Sequence, residues 1–298
     1  SDSNDVFKRK GNGRKMIFAR LFGGLGKQMF QYAAGKALAD RLGVDLALDF
    51  RTIDHRGTRR LTHVFDLDIQ DAAKLPPAKH ENAVRYALWR SIGKSPKFRR
   101  ETGLGYNPGF ETWGDDSYLH GYWQSEAYFT SISDHIRHAF VPTPTVSQAN
   151  VAIANQIAAR TSISLHVRRG DYLALGAHGV CSEAYYNAAL DEIVKRLDTP
   201  ASVFVFSDDP QWAHDNLPLP YEKIVVDING PETDYDDMRL MSKCQHNVIA
   251  NSSFSWWGAW LNSNPSKIVT APTNWFAAGG MENPDILPDS WLAVSAQS

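Results

Sequence analysis

Apolar residues along this chain follow two alternating patterns. Across Lys15–Leu21 (KMIFARL) they form a short run with a β-branched centre, which predicts a buried strand. After a glycine-rich turn, Phe22–Gln28 (FGGLGKQ), they recur at helical spacing through Met29, Phe30, Ala33, Ala37, Leu38 and Leu42, and Gly43 stops the helix. Val44–Phe50 predicts a second strand. The turn can present backbone N–H groups to an anion, or its glycines can simply pack helix against strand. It is neither of two familiar phosphate loops. A dinucleotide fingerprint needs a glycine at Met29, and a Walker loop needs Gly at Leu21 and Ser or Thr at Gln28.

The pattern weakens from Arg51 to Gly114, where Arg56, Arg59 and Arg60 follow the second strand. The basic, aromatic segment Arg85–Arg100 fits a solvated helix face most simply, and an anionic membrane surface otherwise. Tyr118–Ser125 is rich in aromatics, and Glu126–Phe140 predicts a helix that ends before Pro142. Pro142-Thr143-Pro144 reads as a linker, with a helix over Ser147–Arg160. Strands then alternate with helices: Ile163–Val167, Ser182–Leu197, Ser202–Phe206, Pro210–Leu217, Lys223–Ile228, Thr233–Cys244, Asn247–Ala250, Phe254–Leu261 and a last strand at Lys267–Ala271. That order predicts a mostly parallel sheet with helices on both faces.

Ligands of such a sheet sit beyond the carboxyl ends of the strands. One strand there runs out through His166 into Arg168, Arg169, Gly170 and Asp171. Paired guanidiniums match phosphate oxygens, and Asp171 can orient one of them. A second ends in Ser207-Asp208-Asp209, carboxylates suited to a ribose or a base edge, or to capping the next helix. A third ends in Asn251-Ser252-Ser253-Phe254-Ser255, a helix N-terminus that favours an anion or is merely capped. Together these ends predict a nucleotide site. Metal ligation by Asp208-Asp209, or by Asp234, Asp236 and Asp237, is the weaker reading. The latter acids open a helix, where acids are favoured anyway, and the arginines can meet the phosphates.

Composition narrows the class. The 298 residues suffice for two domains, and 43% hydrophobic with 21% charged residues is ordinary globular balance. A net charge of −2 gives nucleic acid no electrostatic reason to bind. Cys181 and Cys244 are too few for a disulfide framework and fit a reducing compartment. No apolar run reaches membrane length, and the polar start, Ser1 to Lys15, reads as a disordered lead-in without signal-peptide character.

GGLGKQMFQYAAG (Gly23–Gly35), HVRRGDY (His166–Tyr172) and HNVIANSSFSWWGAWL (His246–Leu261) resemble blocks of the bacterial α-1,2-fucosyltransferases, glycosyltransferase family 11. GYWQSEAYF (Gly121–Phe129) and FSDDPQWA (Phe206–Ala213) are similar to further blocks in family order. The resemblance implies an α/β fold of GT-B type, two Rossmann-like domains facing each other across a cleft. Residues 1–14 would be the lead-in, 15–144 an acceptor-side domain and 145–298 a GDP-sugar-binding domain. It implies inverting transfer of fucose from GDP-β-L-fucose to the 2-hydroxyl of a terminal β-galactoside, with no metal or other cofactor. The implied setting is cytoplasmic, with peripheral contact at the inner membrane face as the other option.

By this resemblance Arg168 holds the diphosphate, with Arg169 beside it, and His166 lies at the guanine. Asp208 and Asp209 stand near the nucleoside, and Asn251, Ser252, Ser253, Phe254 and Ser255 form the phosphate-facing turn. Gly23, Gly24, Gly26 and Gln28 face the donor sugar and the acceptor. Glu126 and Asp171 are the candidate bases. Lys27 replaces the family's asparagine, so a neutral amide becomes a longer, donor-only cation that either adds a phosphate contact or crowds the sugar. A different donor or acceptor, or a silent GDP-sugar binder, are the competing readings.

Overall fold

The structure, a computed structural model, describes residues 15–72, 74–93, 95–170, 181–276 and 281–295. The first half of the chain contains β1 (Met16–Arg20), α1 (Leu25–Leu42), β2 (Asp45–Asp49), α2 (Arg51–His55), α3 (Ala83–Ile92), β3 (Lys97–Arg100), β4 (Ser117–His120) and α4 (Ser133–Ala139). The second half contains α5 (Gln148–Ala158), β5 (Thr161–Val167), α6 (Glu183–Val194), β6 (Ala201–Ser207), α7 (Pro210–Asn216) and β7 (Glu222–Val225). It closes with α8 (Asp234–Lys243), β8 (His246–Val248), α9 (Ser253–Trp260), β9 (Val269–Pro272) and β10 (Leu292–Val294).

Two separate sheets result, in the orders β2-β1-β4-β3 and β10-β9-β8-β5-β6-β7. Every described pairing is parallel. β5 is central in the second sheet, with Leu165 paired to Val205 of β6 and Val248 of β8. Its residues from Ser162 to Val167 are all buried, as a parallel strand covered on both faces requires. The strands of the first sheet all precede Pro142 and those of the second all follow Pro144. The intervening segment is pinned: Thr143 N–H donates to Val64 O, and Arg239 donates to the carbonyls of Pro142 and Pro144.

Several elements differ from the sequence-based expectation, among them β3, which occupies the end of the segment Arg85–Arg100 expected as a helix face. α1 starts at Leu25 rather than Met29, because Gly24 in extended conformation (φ −70°) lets the helix begin inside the glycine run. Glu126–Phe140 is not one helix but two short 3₁₀ turns followed by α4. The hydroxyls of Ser125 and Thr130 bond to Ala127 N–H and Glu126 O, local bonds that compete with a continuous helix. Phe129, 5.4 Å from Trp257 in a stacked pair, is thereby turned into the core. Last, β10 adds a strand beyond the expected final one, on the outer edge of β9.

Helices α1 and α9 are buried on nearly all sides, so neither presents the usual polar face. They pack against each other and fuse the two halves into one aromatic core. Phe30 of α1 lies 4.5 Å from Trp256 and 4.8 Å from Trp257, ring centre to ring centre. The indole N–H of Trp257 donates to Gly26 O at 3.0 Å. A Cβ on Gly26 would sit 2.6 Å from the Ser253 carbonyl carbon and 2.7 Å from Phe254 N, so only glycine permits this approach. Gly26→Ala should therefore cost about 1–3 kcal/mol of unfolding free energy by overpacking. Gly24→Ser, at an open N-cap position, should cost nothing measurable. Equal urea midpoints for the two variants would refute this contact as a determinant of the fold.

Candidate functional site

The carboxyl ends of β5, β6 and β7 and the first turns of α8 and α9 surround a cleft of about 360 Å³. His166, Arg168, Asp208 and Phe254 line it together with Asp227, Asn229, Asp234 and Asp237. The loop after β5 is laced to the loop after β6. Asp208 accepts the backbone N–H groups of Arg169 and Gly170, both at 2.9 Å, and pairs with Arg168 Nη1 at 3.1 Å. Ser207 Oγ donates to Val167 O at 2.8 Å and accepts Asp209 N–H at 2.9 Å. A Cβ on Gly170 would lie 2.5 Å from Asp208 Oδ2, so the glycine is what admits the carboxylate. Arg168 is thus preset by Asp208, the task the sequence suggested for Asp171. Asp171 itself lies outside the described residues.

The two arginines part company. Arg168 faces the cleft, while the Arg169 guanidinium lies 3.9 Å from the centre of the Trp212 ring, a cation–π contact on the far side. Asp209 caps α7 by accepting Trp212 N–H at 3.1 Å, which is the capping alternative its sequence allowed. His166 is 4% exposed, 5.7 Å from Phe254 ring to ring, and its Nδ1 has no hydrogen-bond partner among the described residues. Burial, helped by Arg168, pushes its pKa down to about 3, so the ring is neutral.

The serine run behaves mainly as a cap. Ser252 accepts Phe254 N–H at 3.2 Å, Ser255 donates to Ser252 O, and both are buried. Asn251 donates to Trp275 O at 3.1 Å, and Ser253 lies against Gly26. Of that run, Phe254 is the residue lining the cleft. Gln28 is wholly buried and braces the glycine turn: its amide nitrogen donates to the carbonyls of Gly23 and Arg59, and its oxygen accepts Leu61 N–H.

The acidic wall is the part that the sequence assigned to helix-terminus preference, with metal ligation by Asp234, Asp236 and Asp237 as the weaker reading. Arg59 reaches across from the first half, donates to the carbonyls of Pro231 and Glu232, and pairs with Asp234. Burial pushes Asp237 up to about 7, with repulsion from Asp234, Asp236 and Asp227 adding to it, against a hydrogen bond from Asn229 at 2.8 Å. Asn229 is fixed in turn by a reciprocal amide pair with Asn150. The signal available in the sequence was position: these acids follow β7, at the same strand ends as Arg168.

A second cavity, about 520 Å³, opens at the carboxyl ends of β1, β3 and β4, lined by Phe22, Arg100, Glu101, His120 and Tyr122 among others. Glu101 accepts Tyr122 N–H at 2.7 Å and Trp123 N–H at 2.9 Å, holding Trp123 at φ 57°. Phe22 and Tyr122 form an edge-to-face pair at 4.9 Å. Burial, then Arg20 and Arg100, push His120 down to about 4. The first turn of α1 stands between the cavities: Gly26 abuts Phe254, and the Lys27 ammonium lies 5.4 Å from the Tyr122 ring centre. Glu126 lines neither cavity; it accepts the Trp260 indole N–H.

The profile of Glycosyl transferase family 11 matches residues 110–295. An Escherichia coli alpha-1,2-colitosyltransferase is 34% identical over 292 residues, covering 94% of this chain and 99% of that protein. The chain belongs to glycosyltransferase family 11. A second relative in E. coli, the O-antigen biosynthesis glycosyltransferase WbnK, is 32% identical and covers 93% of this chain and 99% of its own. In three dimensions this family 11 chain resembles Arabidopsis thaliana FUT1, solved with GDP, at a TM-score of 0.55 and 14% identity, over 89% of this chain and 72% of that one. The two parallel sheets are accordingly the GT-B arrangement that the resemblance implied.

Asp237 gives this family 11 site a pH signature. Its carboxyl ionises near 4 in an unfolded chain but at about 7 here. Between those values the folded state holds the extra proton, so this group's contribution to stability falls as pH rises. Asp237→Asn should flatten the decline in urea midpoint between about pH 5 and pH 8. Parallel curves for variant and wild type would show that the group does not titrate in that range.

Proposed function

We propose that this chain transfers L-fucose from GDP-β-L-fucose to the 2-hydroxyl of a terminal β-galactoside, with inversion. The observation that carries the reading is the mixed lining of the first cleft, which brings Arg168, preset by Asp208, into one cavity with Asp227, Asp234 and Asp237. A nucleoside diphosphate is anionic at one end, and guanine presents adjacent N–H donors at the other. A guanidinium and a set of carboxylates in one cavity offer partners for both kinds of group. The neutral His166 ring beside Phe254 suits the region between them.

The chemistry is a single displacement at the anomeric carbon, with negative charge growing on the departing GDP. Arg168, held in place by Asp208 before substrate arrives, stabilises that charge without reorganising. The second cavity takes the acceptor, with a sugar face against the partly exposed Phe22–Tyr122 pair. Lys27, at the partition, adds positive charge where the two substrates meet.

The E. coli relative named for colitose transfer favours a second donor, GDP-colitose. Colitose lacks the 3-hydroxyl of fucose, and a site that hydrogen-bonds that hydroxyl discriminates strongly against its absence. Incubation with each donor, a lactose-type acceptor and EDTA, read by product mass and linkage, separates the two. Fucose on galactose O2 is the expected product. Colitose transfer alone would replace the donor assignment, and GDP binding without either product would indicate a silent binder.

Arg168→Ala should lower turnover by about 10²–10³-fold. Turnover equal to wild type would remove Arg168 from the mechanism. Tyr122→Ala should raise the acceptor KM about tenfold and leave GDP affinity unchanged. An unchanged acceptor KM would place the acceptor elsewhere.

A further inference from the structure

Helix α3 has one buried face and one that nothing in the described structure covers. Tyr86 and Trp89 turn inward, where Trp89 meets Phe98 of β3 and Tyr118 of β4 edge to face. Val84, Leu88 and Ile92, spaced four apart, form a stripe on the opposite side and are 70%, 53% and 59% exposed. Ala87 and Ser91 fill the neighbouring outward positions, so no acidic side chain interrupts the stripe. Helical spacing puts exposed Arg85 on its border. A solvated helix face, the simpler expectation from the sequence, would carry charges at these positions.

The charge around the stripe has one sign. All six charged residues in 83–100 are Lys or Arg, in a chain whose net charge is −2. Arg85, Arg90, Lys97 and Arg100 are exposed. Arg90 also covers the rings of Tyr86 and Phe98, which anchors the basic side chain to the helix–strand unit. An apolar face bordered by cations and free of acids is the pattern of a helix lying in a bilayer interface. The aromatic packing beneath α3 fixes that face outward, so no folding on contact is required.

We propose that α3 docks this protein on an anionic lipid bilayer, with Val84, Leu88 and Ile92 entering the interface and the surrounding Lys and Arg side chains meeting lipid phosphates. The charge complementarity selects this occupant over a second copy of the chain, whose own α3 face would bring cations against cations. Arg100, at the end of β3, also lines the second cavity, so docking sets that cavity beside the membrane surface.

The test is co-sedimentation of the whole chain with phosphatidylcholine vesicles, with and without about a third phosphatidylglycerol. Binding is expected only with the anionic lipid, and it should weaken at high salt. Leu88→Asp and Arg85→Glu should each lower vesicle binding by about tenfold while preserving the thermal midpoint and turnover on a soluble acceptor. Absence of wild-type binding, equal binding to neutral vesicles, or variants that bind as wild type would overturn the proposal. So would a Leu88-dependent dimer in sedimentation velocity, which would make the stripe a contact between copies.

Discussion

The meeting of two helix N-termini organises this molecule. α1 belongs to the first sheet and α9 to the second, and their first turns touch where Gly26 rests on the backbone of Ser253 and Phe254. The approach is closer than any side chain allows, and the Trp257–Gly26 hydrogen bond and the Phe30–Trp256–Trp257 cluster lock it. Both helices begin at this point, so the partial positive ends of two dipoles converge there. Without an anion that convergence is unfavourable, and burial of Phe30, Trp256 and Trp257 offsets it. The core therefore holds together an electrostatic arrangement that the helices alone would avoid.

From that contact the two cavities inherit their relation. Gly26, one residue before Lys27, touches the backbone of Phe254, which lines the first cleft, and Lys27 itself leans on an aromatic of the other cavity. A second line of bonds runs from Gly23 O through the Gln28 amide to Arg59 O, and from the Arg59 guanidinium to the Pro231–Asp234 wall. The glycine turn and the acidic wall are thus two ends of one hydrogen-bonded chain, although they adjoin different sheets. Rigid placement of this kind is what a site needs if its groups are to act without rearranging.

The alternation of strands and helices was legible because burial on both faces leaves a continuous apolar run, as in Ile163–Val167. Arg168 was legible because paired guanidiniums at the end of such a run are poor core material and good anion partners. Its neighbours were harder. Arg169, Asp209 and Ser252 are chemically as suitable as Arg168, yet each is engaged locally, with Trp212, the α7 cap and the α9 cap. Sequence shows the type of side chain but not which way the strand end turns it. Arg59 and Asp237 were illegible for the opposite reason. Each looks like an ordinary surface or helix-start charge until β7 and the Arg59 loop bring them to one wall.

The distribution of charge across the site bears on how a departure from the family pattern is tolerated. Under the proposed function the leaving diphosphate lies between Arg168 and the joined helix starts. A lysine in place of asparagine at position 27 adds charge beside that point rather than in the acidic wall, where it would compete with the base. Its stem lies over Gly23, whose φ of 83° keeps that position free of a side chain, and its ammonium is drawn toward Tyr122. The cation thus lies against an aromatic face. Under the proposed function, crowding by the longer side chain falls on the acceptor side, at Tyr122. Its effect belongs to acceptor choice before it belongs to donor binding.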